Sequence, residues 1–261
     1  MTLLTDLEDF SLELCGAAAE VAVPIFRAGC GHDDKGRGRV FDPVTQADRD
    51  AEAAIRRRIA ARFPDHGVIG EEYGEDRPNA EWVWILDPID GTRAFISGLP
   101  LWTTLVALRH QKEVVVGTVA APALGEVFCG GASGAVRLRD GVREAIRCRP
   151  CPRLGAATLS TTDPALFQGP ARDGWSRLEA ATRLTRLGCD AYAYAMVAAG
   201  RMDLVAEAGL KPWDWAAPMA LVRAAGGRVQ AWDGQEPNGE SSLLAVGDPA
   251  LFEPARALLA G

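Results

Sequence analysis

Residues 3 to 28 place Leu7, Phe10, Leu14, Ala18, Val21 and Ile25 at steps of three and four, the spacing of one apolar face on an amphipathic helix. The next stretch, "GCGHDDKGRGRVFDPV" (29 to 44), is rich in Gly and charge and predicts a loop or a mobile hairpin. A second helix is expected from Thr45 to Phe63, with Ala51, Ile55 and Ile59 on one face. "HGVIGEE" then reads as a short strand entering a turn, and residues 82 to 86 as a buried strand.

From Leu101 the period changes. "LWTTLVALRH", "VVVGTVAAPA", "GEVFCGGA" and "GAVRLRDG" are short apolar runs broken by Gly, Pro or charged turns, the pattern of an antiparallel meander. Beyond "RCRPCPRLGA" (147 to 156) strands and helices alternate. "AATLSTT", "TRLGCD", "MDLVAEAG" and "RVQAWDG" read as strands, the second ending in an acid. Residues 175 to 183, "AYAYAMVAAG" and "WDWAAPMALVRAAGG" read as helices. The expected class is therefore α/β (α+β). Two halves are expected within one compact unit: 1–148 with the antiparallel sheet, and 149–261 of layered α/β type.

Composition narrows the function. The 261 residues carry a net charge of -7, so no basic footprint suggests nucleic acid or an anionic membrane. No run of about 18 apolar residues suggests a membrane span. Asp6, Glu8, Asp9 and Glu13 fall where a signal peptide wants a positive flank and an uncharged core. A reducing cytoplasm is therefore expected, with the six cysteines free. The C-x-x-C pair Cys148 and Cys151 lacks a second pair or a strand-to-helix context, and reads as two incidental thiols. His32, His66 and His110 lie far apart and read as surface or packing residues. Lys35 is the one cation of the 29 to 44 loop considered as a phosphate contact, beside the simpler reading of a solvated lysine.

The acids carry the chemistry. Four places put acids at element ends beside small residues: Glu71 and Glu72 in "IGEEYG", Asp87 and Asp90 in "LDPIDGT", Asp214 in "PWDWAA", and Asp48 in "DPVTQAD". Pro88 holds Asp87 extended at a strand end. Gly91 allows a close turn whose amides, with that of Thr92, suit phosphate. Two carboxylates beside such a nest repel an anion unless cations intervene, and Mg²⁺ is the natural mediator. The chemistry suggested is metal-assisted phosphoryl transfer to water. Each place alone has an ordinary explanation: a turn, a helix cap at Asp214, or a capping box at Thr45 and Asp48. Their joint occurrence favours the metal site.

Together, "GEE", "WILDPIDGT", "WDWAA" and "DPVTQAD" resemble the inositol monophosphatase family of Mg²⁺-dependent, lithium-sensitive phosphatases, in its order and spacing and over nearly the whole chain. The resemblance implies the layered αβαβα sandwich of the inositol monophosphatase and fructose-1,6-bisphosphatase-like superfamily, and a homodimer. It implies that Glu71, Asp87 and the Ile89 carbonyl hold one Mg²⁺. Asp87, Asp90 and Asp214 would hold a second, and a third, weaker ion would lean on Glu71. It assigns Thr92 to the attacking water, Asp48 to Thr92 as general base, and the Gly91 and Thr92 backbone to the phosphate.

Asp190 and Glu207 are two further acids, each at an expected strand end. By the resemblance Glu207 faces the leaving alcohol, and Asp190 stands where inositol enzymes carry a small apolar residue. An added carboxylate favours a cationic phosphate ester. "D-x-Y-x-Y" from Asp190, "EAGLKPWD" and "RAFISGLPLW" look like the family's histidinol-phosphatase branch, although Trp213 and Trp215 replace its Tyr and Cys189 its Gly. L-Histidinol phosphate is the expected substrate. Inositol 1-phosphate, or a broad range of small phosphate esters, is the alternative. A protein-binding regulatory factor on the same fold is the alternative of another class.

Overall fold

The computed structural model describes residues 2–29, 31, 33–34 and 43–260. The chain opens with α1 (Thr2–Ala28), two antiparallel two-residue strands β1 (Asp33–Asp34) and β2 (Pro43–Val44), and α2 (Gln46–Arg62). The hairpin expected over 29–44 is present in that pair. Its residues 35–42, with Lys35, and His32 lie outside the described residues.

The first half continues through β3 (Gly67–Gly70), β4 (Gly74–Asp76), β5 (Trp82–Asp90) and α3 (Thr92–Ile96). The expected meander follows as β6 (Thr103–His110), β7 (Glu113–Ala121), β8 (Glu126–Gly131), β9 (Gly134–Arg139) and β10 (Val142–Ala145). These form an eight-stranded sheet in the order β10-β9-β8-β7-β6-β5-β3-β4, antiparallel except for the β3–β5 pair. The second half runs β11 (Thr158–Thr161), α4 (Pro170–Ala181), β12 (Leu184–Leu187), α5 (Tyr192–Ala198), β13 (Leu204–Leu210), α6 (Pro212–Ala224), β14 (Arg228–Ala231), β15 (Ser241–Val246) and α7 (Phe252–Ala260). Its sheet has the order β12-β11-β13-β15-β14.

The packing gives five layers. Leu7, Phe10 and Leu14 of α1 and Ile55 and Ile59 of α2 bury against Trp84, Leu86 and Val106 on one face of the large sheet. Val83, Ile85 and Leu105 on the opposite face meet Tyr194 and Val197 of α5 and Leu221 of α6, which in turn cover Val205 and Leu243 of the second sheet. Trp175, Leu178 and Phe252 from α4 and α7 close the far side over Leu159 and Leu204. β5 is buried on both faces, so it reads as a continuous apolar run rather than an alternating one. Among the described residues no helix is long and apolar enough to cross a membrane.

The stretch from 147 to 156 crosses between the sheets. Arg149 ties it down by donating to both oxygens of Asp203 at 2.7 and 2.6 Å. Cys148 and Cys151 are free, as are the other described cysteines. His66 and His110 do stack on neighbouring rings, His66 on Phe63 at 4.5 Å and His110 on Trp82 at 4.1 Å.

Close approach of α6 to the large sheet depends on small residues. A Cβ on Gly117 would overlap the Ala217 carbonyl and stand 2.8 Å from the Ala220 Cβ. Gly117→Ala is therefore expected to destabilise the chain by about 2 kcal/mol, through overpacking. Because α6 begins two residues before Asp214, phosphatase activity should fall with it. Urea unfolding with parallel rate measurements checks this, and an unchanged midpoint would contradict the packing described.

Candidate active site

The strand parity of β5 sets the site. Val83 and Ile85 point toward α5 and α6, so Asp87 emerges on that side of the sheet, as does Ile69 of β3 two residues before Glu71. Strict alternation would send Asp90 to the opposite face. The ladder prevents this: Asp87 pairs with Leu105 and Asp90 with Thr103, three steps against two. The extra residue is a β-bulge, and it returns Asp90 to the face of Asp87. The two acids thus share one side of a bulged strand end, and the strand runs to Asp90, past the 82 to 86 expected from the sequence. Pro88 fits the bulge because it has no N–H to donate.

α6 brings Asp214 to meet them. One carboxylate oxygen from each of Asp87, Asp90 and Asp214 lies within 4.8 Å of the others. Asp214 is also the helix-start cap anticipated from its position, accepting from the Lys211 N–H at 2.7 Å. Glu71 follows β3, with its N–H donating to the Leu86 carbonyl at 3.2 Å. Burial, then Glu71 and the neighbouring aspartates, push Asp87 well above the usual carboxylate range. Burial likewise raises Asp214, with Asp90 and Glu71 adding to it. Burial and Asp190 push Asp90 up to about 7, against hydrogen bonds from the Ala191 N–H and the Thr103 hydroxyl. A set of crowded hard oxygens of this kind matches a small divalent cation.

Gly91 turns the chain in the left-handed region at φ 83°. A Cβ there would come within 3.2 Å of Asp190 Oδ2 and of the Leu101 carbonyl, so glycine suits both conformation and space. Thr92 then starts α3. Its hydroxyl lies 3.1 Å from the Ile89 carbonyl and 3.4 Å from Asp48 Oδ1. Asp48 is fixed from the other side, where both the N–H and the hydroxyl of Thr45 donate to Oδ2, at 2.8 and 2.6 Å. The capping box thus doubles as a mount that leaves Oδ1 toward Thr92.

Asp190 and Glu207 stand across the cleft. Glu207 lies within β13 rather than at its end. Its carboxylate accepts from Thr161 Oγ1 at 3.0 Å, and from the Thr162 N–H and hydroxyl at 2.6 and 3.0 Å. Burial nevertheless pushes it up to about 8. Asp190 follows β12 by three residues, in a loop and not on the strand, at φ 44°. Burial raises it to about 6, against Thr162 and the Arg93 guanidinium. A cleft of about 260 Å³ runs between Asp90, Thr92, Arg93, Asp190, Glu207 and Asp214. A larger groove of about 1000 Å³ near Arg109 and Glu236 holds none of these acids, so chemistry rather than size locates the site.

Several supporting residues escape a reading of the sequence. Buried Glu52 of α2 accepts from the Glu72 and Tyr73 N–H groups at 2.8 and 3.3 Å, bracing the turn that carries Glu71. A side chain on Gly70 would overlap that carboxylate. Thr103, Thr161, Thr162 and Arg93 join the site in the same way, with no local signal beyond their place at element ends.

The profile of the inositol monophosphatase family matches residues 3–259. The chain belongs to this family. Its members are metal-dependent phosphatases, generally using Mg²⁺, and the Asp87, Asp90 and Asp214 cluster is compatible with that. The chain is 38% identical over 247 residues to the bifunctional phosphatase IMPL2, chloroplastic, of Arabidopsis thaliana, covering 93% of this chain and 70% of that one. It is 36% identical over 186 residues to a histidinol-phosphatase of Chlorobaculum parvum, covering 71% of each. An inositol monophosphatase from Zymomonas mobilis superposes with a TM-score of 0.87 at 36% identity, over 98% of both chains. The αβαβα layering expected from the motifs is thus the fold of this family.

Proposed function

We propose that this phosphatase hydrolyses L-histidinol phosphate to L-histidinol and inorganic phosphate. The observation that supports it is the pair of acids Asp190 and Glu207 on the wall of the cleft that begins at Gly91 and Thr92. A cationic leaving alcohol lets these acids, held against their charge by burial, ionise and pair with it, which a neutral polyol cannot do. The similarity to a protein named histidinol-phosphatase agrees with this. The similarity to an inositol monophosphatase supports inositol 1-phosphate as the alternative.

In this reading Asp87, Asp90, Asp214, Glu71 and the Ile89 carbonyl would hold two or three Mg²⁺ ions. Bound Mg²⁺ supplies charge neutralisation and Lewis acidity. The protein supplies the rest. The amides of Gly91 and Thr92 cradle the phosphate. The Thr92 hydroxyl orients a water, and Asp48 Oδ1 takes the proton that Thr92 relays. The water oxygen attaches to phosphorus as the bond to the leaving oxygen breaks; that oxygen takes a proton from solvent water and departs as the alcohol between Asp190 and Glu207. A homodimer, lithium sensitivity, a reducing cytoplasm and a step in histidine biosynthesis accompany this reading. A role confined to protein binding would have no use for the acid cluster.

Released phosphate measured in Mg²⁺ tests the substrate. The expected kcat/KM for L-histidinol phosphate exceeds that for inositol 1-phosphate by about tenfold or more, and Asp190→Ala removes most of the difference, as loss of a charged hydrogen-bond partner should. A preference for the inositol ester that persists in Asp190→Ala would overturn the reading.

A further inference from the structure

Tyr194, near the start of α5, is 2% exposed, and its hydroxyl has no hydrogen-bond partner among the described residues. Leaving a buried hydroxyl unpaired costs about 1–3 kcal/mol, so the group calls for an occupant beside it. The hydroxyl lies among the carboxylates of Glu207, Asp90 and Asp214. With Asp190 and Thr162 these residues line a chamber of about 20 Å³, room for one water-sized group. The chamber opens off the substrate cleft, with which it shares Asp90, Thr162, Asp190, Glu207, Leu210 and Asp214.

Its walls are fixed, so it does not close on itself. Glu207 is held by three hydrogen bonds from Thr161 and Thr162. Asp90 Oδ2 is held by the Thr103 hydroxyl at 3.0 Å and the Ala191 N–H at 2.8 Å. Among the described residues no basic side chain lines it, whereas Arg93 lines the outer cleft. A water would satisfy Tyr194 but would do nothing for Asp190 and Glu207, the two wall acids not given to the metal, which burial holds against their charge. A primary ammonium has the same size, three donors and the complementary charge.

We infer that this chamber is a primary-ammonium pocket, in which the Tyr194 oxygen and the carboxylates of Asp190 and Glu207 receive the amine of a phosphate monoester. The inference rests on the reading of the substrate as a cationic ester. It assigns the amine, and not a ring, to the buried end, and leaves the rest of the leaving group in the outer cleft.

The test compares Tyr194→Phe with the parent enzyme on L-histidinol phosphate and on its deamino analogue, 3-(imidazol-4-yl)propyl phosphate, with inositol 1-phosphate as a third ester. The expected result is a loss of about tenfold or more in kcat/KM for the amine ester, and less than about twofold for the deamino ester. The melting temperature should hold or rise, because the hydroxyl removed had no partner. Equal losses on the two esters, the result expected if the chamber holds only a water, overturn the pocket. Preference for L-histidinol phosphate without an amine-selective loss overturns the pocket alone. Preference for inositol 1-phosphate removes the substrate reading, while an amine-selective loss would still support the pocket. Should the variant not fold, the parent enzyme decides: discrimination between the amine and deamino esters below about threefold overturns it.

Discussion

Asp87→Asn is expected to abolish phosphatase activity, by at least about a thousandfold in kcat/KM, while leaving the fold intact. The estimate corresponds to about 4 kcal/mol of transition-state stabilisation, the scale of losing a metal's Lewis acidity. Asp87 is raised first by burial and then by Glu71, Asp90, Asp214 and Asp48. An ion bound between these groups uses the charge that asparagine removes. The local structure does not use it: the Ile89 N–H donates to Asp87 Oδ1 at 3.0 Å, and an asparagine oxygen accepts that bond equally well. Removing one negative charge from a crowded set should also hold or raise the stability of the metal-free chain. Calorimetric Mg²⁺ titration, thermal melting and released phosphate together decide the matter. Lost Mg²⁺ binding with an unchanged melt is the expected pattern. Undiminished activity would refute the placement of the metal.

The parts of this site that are close in sequence were legible before the fold was known. Asp87, Asp90, Gly91 and Thr92 lie within six residues, and their combination has a chemical meaning that no turn requires. Asp48 and Asp214 were legible because the first turn of a helix is a recognisable place for an acid. The bulge between Asp87 and Asp90 was not, since it exists only as a mismatch with β6. The partners joined by long-range pairing were equally hidden. Thr103 reaches Asp90 across a strand pair, and Thr161 and Thr162 reach Glu207 across another; Tyr194 was legible only as the last residue of the D-x-Y-x-Y match, with nothing local to show where its hydroxyl lies. Glu52 reads as a helical partner of Arg56, which it is at 2.7 Å, and nothing local announces that it also holds the Glu71 turn. In the fold, β15 and α7 went unread. β15 inserts between β13 and β14, an order set by packing rather than succession. α7 contains Pro254 inside its first turn and follows the Pro249–Leu251 turn, so proline punctuation hides a real helix.

The metal-free chain should lose stability as pH rises from about 4 to about 8, and Mg²⁺ should restore it most at the upper end. Asp90 is raised to about 7, Asp190 to about 6 and Glu207 to about 8, each with burial as the first cause. Asp87 and Asp214 shift in the same direction. An acid whose pKa is higher folded than unfolded holds its proton more tightly in the native state. Its contribution is complete below the unfolded value, near pH 4, and disappears as pH climbs through the folded value. For Glu207 alone this amounts to an order of several kcal/mol. Mg²⁺ binds the ionised ligands, so at pH 5 it must displace protons and at pH 8 it need not. At a hundred times its dissociation constant it adds about 2.7 kcal/mol, which for a chain of this size raises the melting temperature by about 5–10 °C. Thermal melts in chelator and in Mg²⁺ at pH 5, 6.5 and 8 measure both effects. The expected chelator series falls with pH, and the Mg²⁺ increment grows. Glu207 and Asp190 are not assigned to the metal, so Glu207→Gln should flatten the remaining slope in Mg²⁺ without changing the Mg²⁺ increment. A chelator series that rises between pH 5 and 8 would show that the acids are not held against their charge. A slope untouched by Glu207→Gln would remove Glu207 from its cause.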